Sequence, residues 1–185
     1  MLQSEIVLTK KVKTKRSSQE RRMAKLDASL KSAYELAAKN LALTKFPEEA
    51  WIRVNGVQLS KTRKIQSEKS KNAKDVLEKE MEIASMLAAA GHFVWMLPEN
   101  NAVGKNPDAI IDGLIYDFKQ VKLSKVEQRF VEALKQANNV VLRLLDERNV
   151  SRVLGKLKKH VKNKKAGTLF VIIGSDVRRF DFDEI

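Results

Sequence analysis

The 185-residue sequence contains no cysteine and only two histidines, His92 and His160. The first absence excludes disulfides, zinc-thiolate sites and thiol nucleophiles. The second argues against a two-histidine metal site or a histidine general base, so hydrolytic chemistry would have to rest on carboxylates, lysines and a hard cation. No apolar run approaches the roughly 20 residues that cross a bilayer, and the first residues show no signal-peptide h-region, so the chain is expected to lack its own Sec signal. Acidic charge is in deficit. Against 36 Lys+Arg stand 23 Asp+Glu, giving a net charge of +13 and a pI near 9.9. That excess calls for an anionic partner, with nucleic acid first and an acidic membrane surface second. Hydrophobic residues are well supplied at 43%, enough for one domain of ordinary size to fold without staples.

The basic excess lies in the N-terminal part. Residues 1–79 hold 19 Lys+Arg and 9 Asp+Glu, whereas residues 80–185 hold 17 and 14. From Lys10 to Arg22 the run KKVKTKRSSQERR is too polar to pack and reads equally well as a nucleic-acid-binding arm or a solvated tail. Met23 to Leu43 follows as an amphipathic helix with Leu26, Leu30, Ala33, Ala37 and Leu41 on one stripe. Asn55-Gly56 marks a short hairpin, and Ser60 to Lys74 reads as a polar connector. The expected organisation is therefore a basic, mainly helical region over residues 1–74 and a second domain over 75–185.

The stretch NPDAIIDGLIYDFK, Asn106 to Lys119, carries the most chemistry. Asp112-Gly113 is a strong two-residue turn signal between two β-forming runs. Pairing Ile111 with Leu114 predicts Ile110 opposite Ile115, Ala109 opposite Tyr116, and Asp108 opposite Asp117. Like charges in that register repel. Strand alternation puts Lys119 on the face of Asp117, with Tyr116 and Phe118 on the other. Two carboxylates and an amine converging on one patch suit a divalent cation beside a lysine that stabilises developing negative charge.

Upstream, Asp75 to Ala90 reads as a helix with Val76, Ile83, Leu87 and Ala90 on its apolar face. Glu80 falls near the middle of that face and Glu82 almost opposite. A carboxylate on a core face needs a partner, so Glu80 either lines a functional cleft or is held by an ion pair. Gly91 caps the helix, His92 reads as an incidental loop residue, and Phe93 to Leu97 as a buried strand leading to a polar loop, Pro98 to Lys105. Downstream come a helix (Ser124 to Asn138), a strand (Val140 to Leu144), a helix (Val150 to Val161) and an apolar strand (Leu169 to Ile173). Lys156, Lys158, Lys159 and Lys162 on the outer face of the second helix fit either phosphate contact or plain solvation. The final RRFDFDEI gives no signal. This order predicts an α/β domain with a mixed sheet.

These residues resemble the PD-(D/E)xK nuclease superfamily. Pro107-Asp108 matches its PD element, Asp117-Phe118-Lys119 its (D/E)xK element, and Glu80 or Glu82 the acidic residue on the preceding helix. The resemblance implies an αβββαβ restriction-endonuclease-like core over residues 75 to about 145. More narrowly, EMEIASMLAAAGHFVWMLPE, KNPDAIIDGLIYDFKQVK and ALKQANNVVL are similar to the C-terminal nuclease domains of contact-dependent growth-inhibition toxins of the CdiA type. Asp117 stands where many relatives have Glu, and residues 1–74 match no delivery module. The resemblance implies a nuclease dependent on Mg2+ (or Mn2+), with Asp108, Asp117 and Glu80 as metal ligands, Lys119 at the attacking water or the developing charge, and Gln120 assisting. It also implies tRNA or other structured RNA as substrate in preference to DNA, a cognate immunity protein, and a cytoplasmic site of action reached as part of a secreted or phage-associated protein. Three other readings compete with it: a DNA endonuclease of the same fold, a non-catalytic nucleic-acid-binding module, and an interaction component of a phage or conjugative element.

Overall fold

The computed structural model describes residues 18–99, 106–162, 164 and 166–185, with side chains described from residue 27 onward. The expected basic arm lies outside these residues up to position 17, as does most of the loop expected from Pro98 to Lys105. The chain divides into two units, residues 1–33 and 34–185. The described part of the first is the beginning of helix α1 (Ser18–Lys45), which starts five residues before the expected Met23.

Two Asx-Gly turns shape the sheet of the second unit. Asp112 and Gly113 have φ of 50° and 88°, and Asn55 and Gly56 have φ of 50° and 82°, the left-handed pair that two-residue hairpin loops require. The first joins β4 (Ala109–Ile111) to β5 (Leu114–Val121) in the expected register, with Ala109 opposite Tyr116, Ile110 opposite Ile115 and Ile111 opposite Leu114. The second joins β1 (Trp51–Val54) to β2 (Val57–Ser60). With β3 (Val94–Met96), β6 (Asn139–Leu144), β7 (Thr168–Ile173) and β8 (Asp176–Asp181), they form an eight-stranded mixed sheet in sequential order. β2–β3, β5–β6 and β6–β7 are parallel and the other neighbours antiparallel. Helices α3 (Lys71–Ala89) and α4 (Val126–Gln136) complete the αβββαβ core, and α5 (Val150–Val161) crosses from β6 to β7.

The alternation of β5 sorts the core. Tyr116 and Phe118 pack with Ile83, Ala84 and Leu87 of α3 and with Val141 and Phe170. Val121 packs on the other face with Phe130 of α4, Leu157 of α5, Val140 and Leu142. Ile115 belongs to a third cluster on that same face, with Ala38, Ala42, Leu97 and Ile110. Asp117 and Lys119 thus occupy the interval between two apolar patches. The C-terminus of α3 is secured by a Schellman motif: Gly91, at φ 97°, donates to the Ala88 carbonyl at 3.0 Å and His92 to that of Leu87 at 3.1 Å.

Several expectations need correction. The boundary at 74/75 falls inside α3, and β1 and β2 share the sheet with the hairpin. Ser60 to Lys74 is no connector: it contains α2 (Lys61–Ser67) and the start of α3, each capped by a serine hydroxyl, Ser60 accepting from the Arg63 N–H at 3.0 Å and Ser70 from Ala73 at 3.1 Å. The final residues, which gave no signal in the sequence, form β8 and a short 3-10 turn. The buried stripe of α1 in this unit is Ala38 and Ala42, while Ala37 is exposed; on α3, Val76 is exposed and Ala90 lies beyond the packed face. Lys156 and Lys159 are paired with Glu127 of α4, at 3.7 and 2.5 Å.

Gly113 offers a direct check of this packing. A Cβ there would lie 2.8 Å from that of Ala37, on top of the left-handed backbone, whereas one on Gly91 would meet nothing within 4 Å. Gly113→Ala should therefore cost about 2 to 3 kcal/mol in urea unfolding and Gly91→Ala only about 1.

Candidate active site around Asp108

Asp108 sits just before β4, and the paired register ends at Ala109 opposite Tyr116, one step short of the Asp108–Asp117 pair expected from the sequence. The two carboxylates avoid a simple face-off. Asp108 leaves the ladder: its N–H donates to the carbonyl of Tyr116, the residue already paired with Ala109, at 3.0 Å, and its Oδ2 accepts the Phe118 N–H at 2.6 Å. Asp117, 2% exposed, ion-pairs with the Lys119 ammonium two residues along the same strand face. Beyond that ion pair, Asp117 Oδ2 is buried without a hydrogen-bond partner.

The countercharge on Asp108 comes from a residue the sequence reading passed over. Arg63 of α2, its side chain 3% exposed, places Nη2 3.3 Å from Asp108 Oδ1 and against Glu80 Oε2 of α3. Its Nη1 donates to the carbonyls of Leu97 at 2.8 Å and Asp108 at 3.1 Å. Glu80 is thus an ion-pair partner, one of the two fates expected for it. Glu82, half-exposed, pairs instead with Arg143 of β6. Of these two helix carboxylates, it is Glu80 that shares a partner, Arg63, with Asp108.

Electrostatics bind these groups together. Burial pushes the Glu80 carboxyl up to about 7; the Arg63 guanidinium opposes that rise and the Asp108 carboxylate adds to it. Burial, then the neighbouring Asp108 carboxylate, push Asp117 up to about 7 against the pull of Lys119. Burial would lower the Arg63 pKa, but Glu80 and Asp108 together raise it. Asp108 is the common neighbour: it is felt by Glu80, Asp117 and Arg63 alike.

The structure therefore brings Asp108, Asp117 and Lys119 together, and links Glu80 to them through Arg63. It does not bring Gln120, which alternation assigns to the α3 face with Phe118, in register with Arg143. Among the described residues, no three acidic or histidine side chains lie close enough together to hold one metal ion. A divalent cation nonetheless fits the pair: Asp108 and Asp117 offer hard oxygen donors, and the poorly satisfied Oδ2 of Asp117 is the kind of buried acceptor such an ion would use. Glu80, engaged by Arg63, stands apart from that pair. Arg63 had one readable signal, a basic residue at the third position after a serine cap; its burial depends on contacts 17 to 45 residues away.

His92 is not incidental either. Its Nδ1 lies 2.6 Å from Asp112 Oδ2, while Asp112 Oδ1 accepts the Phe93 N–H at 2.9 Å, and the ring packs edge-on to Phe170. This pair ties the turn to the C-terminus of α3.

Fold and side chains together define a mixed α/β domain with a nuclease-like core. Residues 105–176 match the model of the contact-dependent growth inhibition CdiA C-terminal domain, bearing out the resemblance over that segment, and this supports a toxin function. None of the curated proteins and none of the solved structures compared with the chain matches it. The matched segment contains Asp108, Asp117 and Lys119 but neither Glu80 nor Arg63. Among the described residues, no helix is long and apolar enough to cross a membrane.

An acid whose pKa is higher folded than unfolded keeps extra protons in the fold. Its contribution is fully present below the ordinary carboxylate range and is lost as pH rises through about 7, the value given above for Asp117. The melting temperature should fall between about pH 5 and 8. Asp117→Asn should flatten that fall and melt higher than the parent at about pH 8, as read by circular dichroism.

Proposed function

We propose that this domain is the toxic moiety of a growth-inhibition system and acts as a metal-dependent nuclease, with tRNA or other structured RNA as its substrate. The observation that carries this reading is the Asp108–Asp117–Lys119 constellation, built on one hairpin within the segment matched to the family. Asp108 and Asp117 would hold Mg2+ or Mn2+. When bound, the ion would supply Lewis-acid polarisation of a phosphoryl oxygen and a more acidic water.

The protein's own groups do the rest. Asp108, fixed through both oxygens, and Asp117, fixed on the strand beside it, are preorganised and need little rearrangement to receive a cation. Lys119, about one-quarter exposed, keeps its ammonium at Asp117 and within reach of solvent, where it can steady the negative charge that develops on phosphorus-bound oxygens or orient an attacking water. The carboxylates must be ionised to do this, so binding of a cation should strengthen as pH rises through about 7, the value to which Asp117 is pushed. The net charge of +13 supplies salt-sensitive attraction to a polyphosphate backbone without choosing its sequence. A domain lethal to its own producer also needs a cognate immunity protein, a partner we include in this reading.

Purified protein incubated with Mg2+ against total tRNA and plasmid side by side should degrade the tRNA. Asp117→Ala should lower cleavage by about 1,000-fold or more at unchanged far-ultraviolet circular dichroism. Plasmid degradation alone would make it a DNA endonuclease of the same fold. Salt-sensitive binding with no product under any divalent ion would make it a binding module.

A further inference from the structure

We infer that Arg63 is a positioning residue of this site, and that Glu80 serves as its anchor rather than as a ligand of the cation. The inference deepens the nuclease reading and rests on it for what the positioned carboxylate does.

The guanidinium is held at four points. Nη1 bridges the carbonyls of Leu97, just after β3, and Asp108, just before β4; Nη2 bridges the carboxylates of Asp108 and Glu80. One planar fork therefore joins the end of β3, the start of β4 and the middle of α3. Its own origin is fixed as well. Ser60 ends β2 and caps α2 through the Arg63 N–H, and β2 pairs parallel with β3, so the sheet itself sets where Arg63 begins. A lysine could not reproduce this, because its ammonium is a point donor rather than a fork with two edges.

The target is as informative as the donor. Asp108 Oδ1 faces Arg63 while Oδ2 accepts the Phe118 N–H, so the carboxylate cannot turn about its last torsion without losing one or the other. Phe118 is the residue between Asp117 and Lys119. Arg63 thereby fixes one acidic group relative to the strand segment that carries the other two functional side chains. Glu80 completes the charge balance around the guanidinium, and that engagement explains why it forms no three-member cluster with Asp108 and Asp117.

The experiment compares Arg63→Lys, Arg63→Met, Glu80→Gln and the paired apolar replacement Arg63→Met with Glu80→Met, all in the full chain. Two readouts are used, amide hydrogen exchange at Phe118 and steady-state cleavage of the preferred nucleic acid with Mg2+. Arg63→Lys and Arg63→Met should speed Phe118 exchange by about tenfold or more relative to Val141, and lower kcat by about tenfold or more with KM within about threefold. The paired replacement should recover the melting temperature lost by Arg63→Met but neither Phe118 protection nor kcat, since an apolar pair can replace a buried ion pair in stability but cannot orient a carboxylate. Mn2+ titration should show Asp108→Asn weakening affinity by about tenfold or more, and Glu80→Gln by about threefold or less. Recovery of protection and kcat by the apolar pair, unchanged Phe118 exchange in the Arg63 variants, or equal Mn2+ losses for Asp108→Asn and Glu80→Gln would each overturn the inference. If the parent protein cleaves no nucleic acid and binds no Mn2+, the nuclease reading fails, while Phe118 exchange still decides whether Arg63 positions Asp108.

Discussion

Three carboxylates withdrawn from water within one neighbourhood set the terms for this fold. At the low effective dielectric of a protein interior, Glu80, Asp108 and Asp117 could not share the space without countercharge, and two cations provide it from opposite sides. Lys119 comes from the same strand as Asp117, so their pairing is local and follows from alternation alone. Arg63 comes from a helix 45 residues before Asp108, so its pairing requires the sheet to be assembled. The β1–β2 hairpin is thus part of the site's architecture: β2 docks on β3 and delivers Arg63 to the place where β3 ends and β4 begins.

A buried ion pair of this kind is weak evidence for stability, because removing two charges from water costs much of what their attraction returns. Geometry is the better account of its presence. The guanidinium spends two donors on backbone carbonyls and two on carboxylates, leaving Nε buried without a partner. A pair selected for stability alone would have little reason to leave that donor unsatisfied or to engage the very carboxylate that also takes the Phe118 amide. The like charge at Asp117 is itself buried, beside the one-quarter-exposed Lys119, and an added cation would relieve it.

What could be read from the sequence follows the range of the forces involved. The hairpin register was legible because Asp112-Gly113 fixes the turn locally and period-two alternation then places every side chain, Lys119 included. Glu80 was legible because a charge on an apolar helical stripe is an anomaly within a single element. The strands and helices after Gly91 were legible from apolar runs. β8 was not, because an edge strand with Asp176, Arg178, Arg179 and Asp181 outward has no apolar pattern to show; its charges are what an unpaired edge needs. α2 was hidden for a related reason. Seven residues are too few for a periodic signal, and it is held by a serine cap and by Arg63, whose partners are set by topology. The assisting role that the resemblance implies for Gln120 meets the same alternation that locates Lys119, which puts Gln120 on the opposite face.

The family match sharpens this division of labour. Residues 105–176 contain Asp108, Asp117, Lys119 and the Phe118 N–H that holds one Asp108 oxygen, yet the guanidinium on its other oxygen lies before that segment. Cut at residue 105, the hairpin would keep Asp117 and Lys119 but lose β3, and with it the neighbour that covers β4. Asp108 would then be an exposed residue at the end of an edge strand, free to turn. Asp108, Asp117 and Lys119 belong to one hairpin, but the guanidinium and carboxylate packed beside Asp108 come from α2 and α3, outside the matched segment.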